Sequence, residues 1–218
     1  MNRRLYQMLR IVSNMSDAAL YANRDQKLSY HVEVRSFLQE ILKKSANLAE
    51  QAGITLTYEL PCEPILTLAN EEKLERAIYN LLSNAMKFAP KGSPVQVRLI
   101  RKGKRLHITV TNQRSDSSLP ANPFTRYLRQ PGLEDPRSGV GLGMVLVRSV
   151  AAMHGGTVLV DQREDITRVT LSLQIRQCQN TLVRSPAFQI DYAGERDHGL
   201  IELSDVLPVH LYDPDSIN

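Results

Sequence analysis

The 218-residue chain has no tryptophan, only four phenylalanines and two cysteines, and no apolar run near the length of a membrane span. Cys62 and Cys178 show neither metal nor redox spacing, and they read as buried or incidental thiols of a reducing compartment. The first residues lack the pattern of a signal peptide, so this piece is expected to be soluble, although it could be cut from a membrane-bound parent. Aromatic residues make up 6% of the chain. With no aromatic platform beside scattered basic residues, and no recognised nucleic-acid motif, nucleic acid is discounted as a partner.

Charge is plentiful but unevenly spread. Residues 1–176 hold 25 Lys and Arg against 16 Asp and Glu, a net +9, whereas residues 177–218 hold 2 against 7, a net −5. A basic body suits a polyanionic ligand. It also offers the acidic tail a surface to lie on.

The most informative stretch runs from Asn80 to Pro90, N-L-L-S-N-A-M-K-F-A-P. Asn80 and Asn84 are four apart and share a helix face, with Lys87 beside them. Leu81, Leu82, Ala85 and Phe88 supply apolar positions on the other side. Buried amides and an ammonium need partners. A phosphate-bearing ligand with Mg²⁺ on an asparagine oxygen would supply them; the alternative is a polar face that is simply wet. The second stretch is Ser138 to Gly143, S-G-V-G-L-G, followed by an amphipathic helix over Met144–His154. Glycines at a helix start let the backbone approach phosphate closely. Alone this turn is a weak signal; paired with the asparagine stretch, in this order, it is a strong one.

Together the two stretches resemble the N box and the second glycine box of the ATP-binding domain of bacterial sensor histidine kinases. This is the Bergerat fold shared with gyrase, MutL and the anti-sigma kinases, and the resemblance covers roughly residues 1 to 176. It implies that ATP and Mg²⁺ are bound by Asn80, Asn84, Lys87, Phe88, Asn112, Gly139, Gly141, Leu142 and Gly143. Asn84 would hold the metal. Asn80 would act as the catalytic residue that orients the attacking group or the metal's waters. The implied enzyme is the catalytic domain of a protein-histidine kinase, bacterial and cytoplasmic. Its implied partners are its own upstream dimerisation helix, a second copy in the full-length protein, and a response regulator.

Along the chain, Leu5, Met8, Val12, Met15, Ala19 and Ala22 recur at alternating spacings of three and four, the seam of a helix packed on other helices. Residues 1–27 therefore read as the end of a dimerisation and phosphotransfer helix plus linker, separate from the folded body. The first helix of that bundle, with the phosphoacceptor histidine, would lie upstream. Residues 28–176 read as the ATP-binding domain and 177–218 as an acidic extension of unknown role. Ser36 is expected to cap a helix ending at Gly53, and Asn70 to cap the helix carrying the central stretch. Ile54–Leu60, Ile65–Leu68, Val95–Arg101, Leu106–Thr111, Thr157–Gln162 and Arg168–Ile175 read as strands. The fold class is α/β, a two-layer α+β sandwich with a mixed sheet covered on one face by three helices. Phe188–Tyr192 and Gly199–Leu203 are candidate strands of the tail, and Leu203–Leu207 is apolar enough to dock. Residues 112–138, with four prolines and no clear period, read as a lid over the nucleotide, anchored by Phe124 or merely pinned by it.

The resemblance breaks at the first glycine box. Asn112 stands where the family has the aspartate that accepts from adenine, and Arg114 and Asp116 stand where it has glycines. An amide oxygen still accepts, without charge assistance. These departures favour a second reading, a degenerate kinase that binds nucleotide weakly or not at all and acts by dimerising and docking a partner. The intact Asn80 and Gly139 stretches oppose it. A gyrase-like ATPase fits less well, because Asn80 replaces the glutamate that activates water there. His31-Val-Glu-Val-Arg35 superficially resembles the phosphoacceptor motif, but the following proline is absent and Tyr30, Val32 and Val34 alternate as a strand, so His31 is read as structural. Incubated with labelled ATP, the chain should therefore acquire no acid-labile phosphate; label on His31 would contradict this reading.

Overall fold

The computed structural model describes residues 3–20, 30–114, 142–163, 165–176 and 197–212. Phe124, Asp116, Gly139, Gly141, the stretch Phe188–Tyr192 and nearly all of the expected lid lie outside these residues. In chain order the elements are α1 (Arg3–Leu20), β1 (Tyr30–Glu33), α2 (Val34–Gln51), β2 (Leu56–Glu59), β3 (Leu66–Ala69), α3 (Glu71–Phe88), β4 (Val95–Lys102), β5 (Arg105–Gln113), α4 (Leu142–Met153), β6 (Val158–Arg163), β7 (Ile166–Gln174) and α5 (His198–Glu202), followed by a 3-10 turn at Val209–Tyr212.

Alternation along the strands builds the core. In β4 the residues Val95, Val97 and Leu99 are buried, and in β5 so are Leu106, Ile108, Val110 and Asn112. A period of two puts each set on one side of the sheet. The five-stranded sheet has the order β2-β4-β5-β7-β6, with β2 parallel to β4 and the other neighbours antiparallel. Helix α2 packs on β2, α3 on β4 and β5, and α4 on β6 and β7, so the mixed sheet with three covering helices is as expected. Strands β1 and β3 form a separate antiparallel ladder. It is tied to the end of β7 where Leu68 N donates to Arg176 O at 3.1 Å and Arg176 N donates to Thr67 Oγ1 at 2.9 Å.

Local signals decide where helices begin. Asn70 caps α3 as expected, its Oδ1 accepting from Lys73 N at 3.0 Å. Helix α2 is capped by Glu33 rather than Ser36, because the Glu33 carboxylate accepts from Arg35 N at 3.0 Å and Ser36 N at 2.8 Å. The same carboxylate takes Ile65 N at 2.8 Å, so one side chain ends β1, starts α2 and fixes the entry to β3. Gly53, at φ +70°, closes α2. His31 sits buried in β1 opposite Leu68.

Two further expectations are corrected. Helix α1 is part of the folded body, not separate from it. The described part of its expected seam faces outward, with Met8 61% and Val12 63% exposed, while Tyr6 and Arg10, four apart, are buried. Tyr6 packs edge-on against Tyr212 with ring centroids 4.9 Å apart, and α1 rests on α4 and α5. A large aromatic with a good partner outweighs the seam in choosing the buried face. Gly199–Leu203 belongs to a helical turn, not a strand. Asp197 caps α5 by accepting from Gly199 N at 2.7 Å, and Leu203 N bonds back to Gly199 O at 2.9 Å. Leu203 and Leu207 are fully buried, so this stretch does dock.

His154 locks α4 to the start of α3. Its Nδ1 donates to Val150 O at 2.7 Å, and its Nε2 accepts from Asn70 N at 3.1 Å, an arrangement only the neutral ring can make. Burial holds its pKa below the ordinary value, opposed by the Val150 bond and reinforced by Arg176. A base whose pKa is depressed on folding supports the fold above its unfolded pKa, near 6.5, and loses that support as pH falls toward the folded value. The melting temperature should therefore drop on acidification below about pH 6.5. His154→Ala should remove this part of the acid sensitivity. It should cost on the order of 2 kcal/mol at neutral pH, because a buried backbone N–H is left without its acceptor.

Candidate nucleotide site and its charged surround

Helix α3 carries a polar stripe that runs from the interior toward the surface. Asn80 is 1% exposed, Asn84 is half-buried, and Lys87 and Phe88 follow on the last turn. Asn80 Nδ2 donates to Arg76 O at 2.8 Å one turn earlier, which fixes the amide. Its Oδ1 faces the first turn of α4. A Cβ placed on Gly143 would lie 2.5 Å from that oxygen, inside contact distance, so the Asn80 amide sits against the backbone of α4 in this position only because residue 143 is glycine. The structure thus brings Asn80 of the first stretch against Gly143, the last residue of the second, 63 positions later.

Asn112 comes from the sheet. It follows Val110 on the inward face of β5, pairs with Val95 and Thr167, and is buried. Its amide nitrogen donates to Gln113 O. Its oxygen accepts no hydrogen bond among the described residues. Leu142 opens α4.

Around this stripe lies a set of ionic contacts that no sequence motif announces. Arg10 of α1 reaches Asn80 Oδ1 with Nη2 at 3.5 Å. Its Nη1 donates to Asp205 Oδ2 at 2.7 Å, and its Nε lies 3.4 Å from Glu202 Oε2. Arg76 Nε lies 3.3 Å from Glu202 Oε1, and Arg76 Nη2 donates to Asn14 Oδ1 on α1 at 3.0 Å. Lys87 Nζ is 4.0 Å from Asp205 Oδ2. Arg3 binds the chain of the tail itself, donating to Ser204 O at 2.8 Å and Asp205 O at 2.7 Å. Burial pushes the Glu202 carboxyl above its ordinary pKa, against the pull of Arg10 and Arg76. The only hint of this cluster in the sequence is the opposite net charge of body and tail.

Comparison with known proteins gives the family. Residues 69–177 match the model of the histidine kinase-, DNA gyrase B- and HSP90-like ATPases. The chain belongs to that family. It is a histidine kinase-like ATPase domain of the sensor-kinase type. It is 32% identical over 160 residues to the sensor histidine kinase TmoS of Ectopseudomonas mendocina, a match covering 70% of this chain and 16% of TmoS. It is 28% identical over 156 residues to the sensor protein KdpD of Clostridium acetobutylicum, covering 69% of this chain and 17% of KdpD. The chain thus spans less than a fifth of the length of these curated relatives. In fold it is similar to the Acinetobacter baumannii histidine kinase AdeS, with a TM-score of 0.61 at 14% identity, over 76% of this chain and 77% of that one.

In this ATPase domain the α3–α4 junction makes a specific demand on residue 143. Gly143→Ala should force α4 away from Asn80 and cost about 1–3 kcal/mol in denaturant unfolding. Adding Asn80→Ala should restore much of that loss, since the obstructing oxygen is gone. A double-mutant cycle that shows simple additivity would contradict the close approach.

Proposed function

We propose that the chain is the catalytic, ATP-binding portion of a bacterial two-component sensor histidine kinase, which transfers the γ-phosphate of ATP to a histidine outside these 218 residues. The observation that carries the reading is the apposition of Asn80 and Gly143, one residue from each of the two phosphate-addressing stretches. The residues fit a metal-bound polyphosphate. The cradle at Gly143 has no room for a Cβ, the half-buried Asn84 offers a hard oxygen, and the cations Arg10, Arg76 and Lys87 outnumber Glu202 and Asp205.

In this reading Asn84 holds Mg²⁺, and Lys87 and the backbone of Gly139, Gly141, Leu142 and Gly143 hold the phosphates. Asn112 accepts from the adenine amino group, and Phe88 closes the end of the stripe. ATP supplies the phosphoryl group; the chain contributes positioning and electrostatic stabilisation, which suffice for this chemistry. Asn80, locked by Arg76 O, orients the attacking group or the metal's waters. As an amide it takes no proton at neutral pH, so transfer to water is slow. The outward-facing Leu5, Met8 and Val12 support packing of α1 in a dimeric bundle, with a response regulator downstream and a cytoplasmic setting.

Calorimetry tests the reading. ATP should bind with Mg²⁺ and adenosine poorly. Asn84→Ala should abolish the Mg²⁺-dependent part. Asn112→Asp combined with Arg114→Gly should tighten ATP roughly fivefold, the difference between a neutral and a charge-assisted acceptor. Tight adenosine binding by the wild type would contradict this account of the adenine side.

A further inference from the structure

The tail reaches the same face that the phosphate-addressing residues occupy. Asp205 places one carboxylate oxygen 2.7 Å from Arg10 and 4.0 Å from Lys87, while Arg10 is itself in contact with Asn80. We propose that residues 197–212 form a built-in competitor of nucleotide: the Asp205 carboxylate holds the anion position between Arg10 and Lys87, and the phosphates of ATP must displace it. This rests on the reading of Lys87 and Asn80 as the phosphate side of the site.

Three observations carry it. First, the carboxylate is held as an anion ligand would be, by two cations and by Gln7 Nε2 at 3.4 Å on its other oxygen. Second, the segment is docked, not loosely apposed. Leu203, Leu207 and Tyr212 are fully buried, and Arg3 grips the backbone at Ser204 and Asp205. Third, like charges brought close together repel, so a triphosphate at Lys87 and a carboxylate 4.0 Å from the same ammonium are poorly compatible. The consequence reaches α1. Glu202 bridges Arg10 of α1 to Arg76 of α3, so the segment that blocks the phosphates also clamps α1 to the domain. Nucleotide entry and release of α1 are then linked, and each favours the other.

The test uses the full chain. Asp205→Asn keeps the shape and removes the charge. It should lower the Kd for ATP with Mg²⁺ by roughly three- to tenfold and leave adenosine unchanged. Amide exchange is the second measurement. In the wild type, ATP with Mg²⁺ should speed exchange at Leu203, Val206 and Leu207, whose N–H groups bond within the segment. If wild type and Asp205→Asn bind ATP alike, or if ATP slows exchange at those amides, the competitor is refuted while the nucleotide site stands. If neither chain binds ATP at millimolar concentration, the reading of the site falls, and the competitor with it.

Discussion

A buried polar stripe on α3 is the constraint around which the rest is arranged. Arg76 and Asn80 sit on a helix otherwise lined by Leu74, Ile78, Leu81 and Leu82, all withdrawn from water. Such groups are tolerated inside a protein only when their hydrogen-bonding and charge requirements are met. The Arg76 carbonyl satisfies part of Asn80, and α4 supplies a glycine that lets the amide oxygen sit against its backbone. The charge of Arg76 is balanced by Glu202, Nε to Oε1 at 3.3 Å, and its Nη2 donates to Asn14 Oδ1 at 3.0 Å. Remote parts of the chain are thereby drawn to one helix face: α1 from one end, α5 from the other, and the start of α4 from between.

The energetic balance of that arrangement is asymmetric. Glu202 and the two arginines are each costly to bury alone, and their mutual attraction offsets the cost only while all three are present. Removing one partner of such a buried pair typically costs about 3–5 kcal/mol, whereas replacing the whole set by apolar groups can be neutral. The charges are therefore weak evidence for stability and better evidence for specificity. Together with the Tyr6–Tyr212 contact, they select which face of α1 turns inward, against the preference of its own apolar seam.

Much of the sheet and its covering helices was legible in the sequence, because the signals there are local. Alternation marks β4 and β5, Asn70 announces α3, and Gly53 closes α2. The asparagines and Lys87 could be put on one stripe from spacing alone. The misreadings share a cause. Ser36 looked like a cap because serine is a good one, but Glu33 reaches the same N–H groups and is also bound to Ile65, thirty-two residues away. Ile201 and Leu203 alternate with polar neighbours as a strand would, yet the Asp197 cap and burial against α2 and α3 make the segment helical. The inward face of α1 depends on Tyr212, Glu202 and Asp205, partners nearly two hundred positions later, and no window of sequence contains them. Gly139, Gly141 and Phe124 lie outside the described residues.

The contact between α1 and the tail also sets an order of events in folding. Arg3 and Asp205 are 202 positions apart, so their meeting closes a loop that spans almost the whole chain. Closing so long a loop is entropically unfavourable until the segments between have condensed. Until α4 and residues 197–212 have both been made, α1 lacks the surfaces it packs on. Through that interval Tyr6 is exposed beside Leu5, Met8 and Val12, which stay outward even in the fold, and a second nascent chain or a chaperone competes for the same helix.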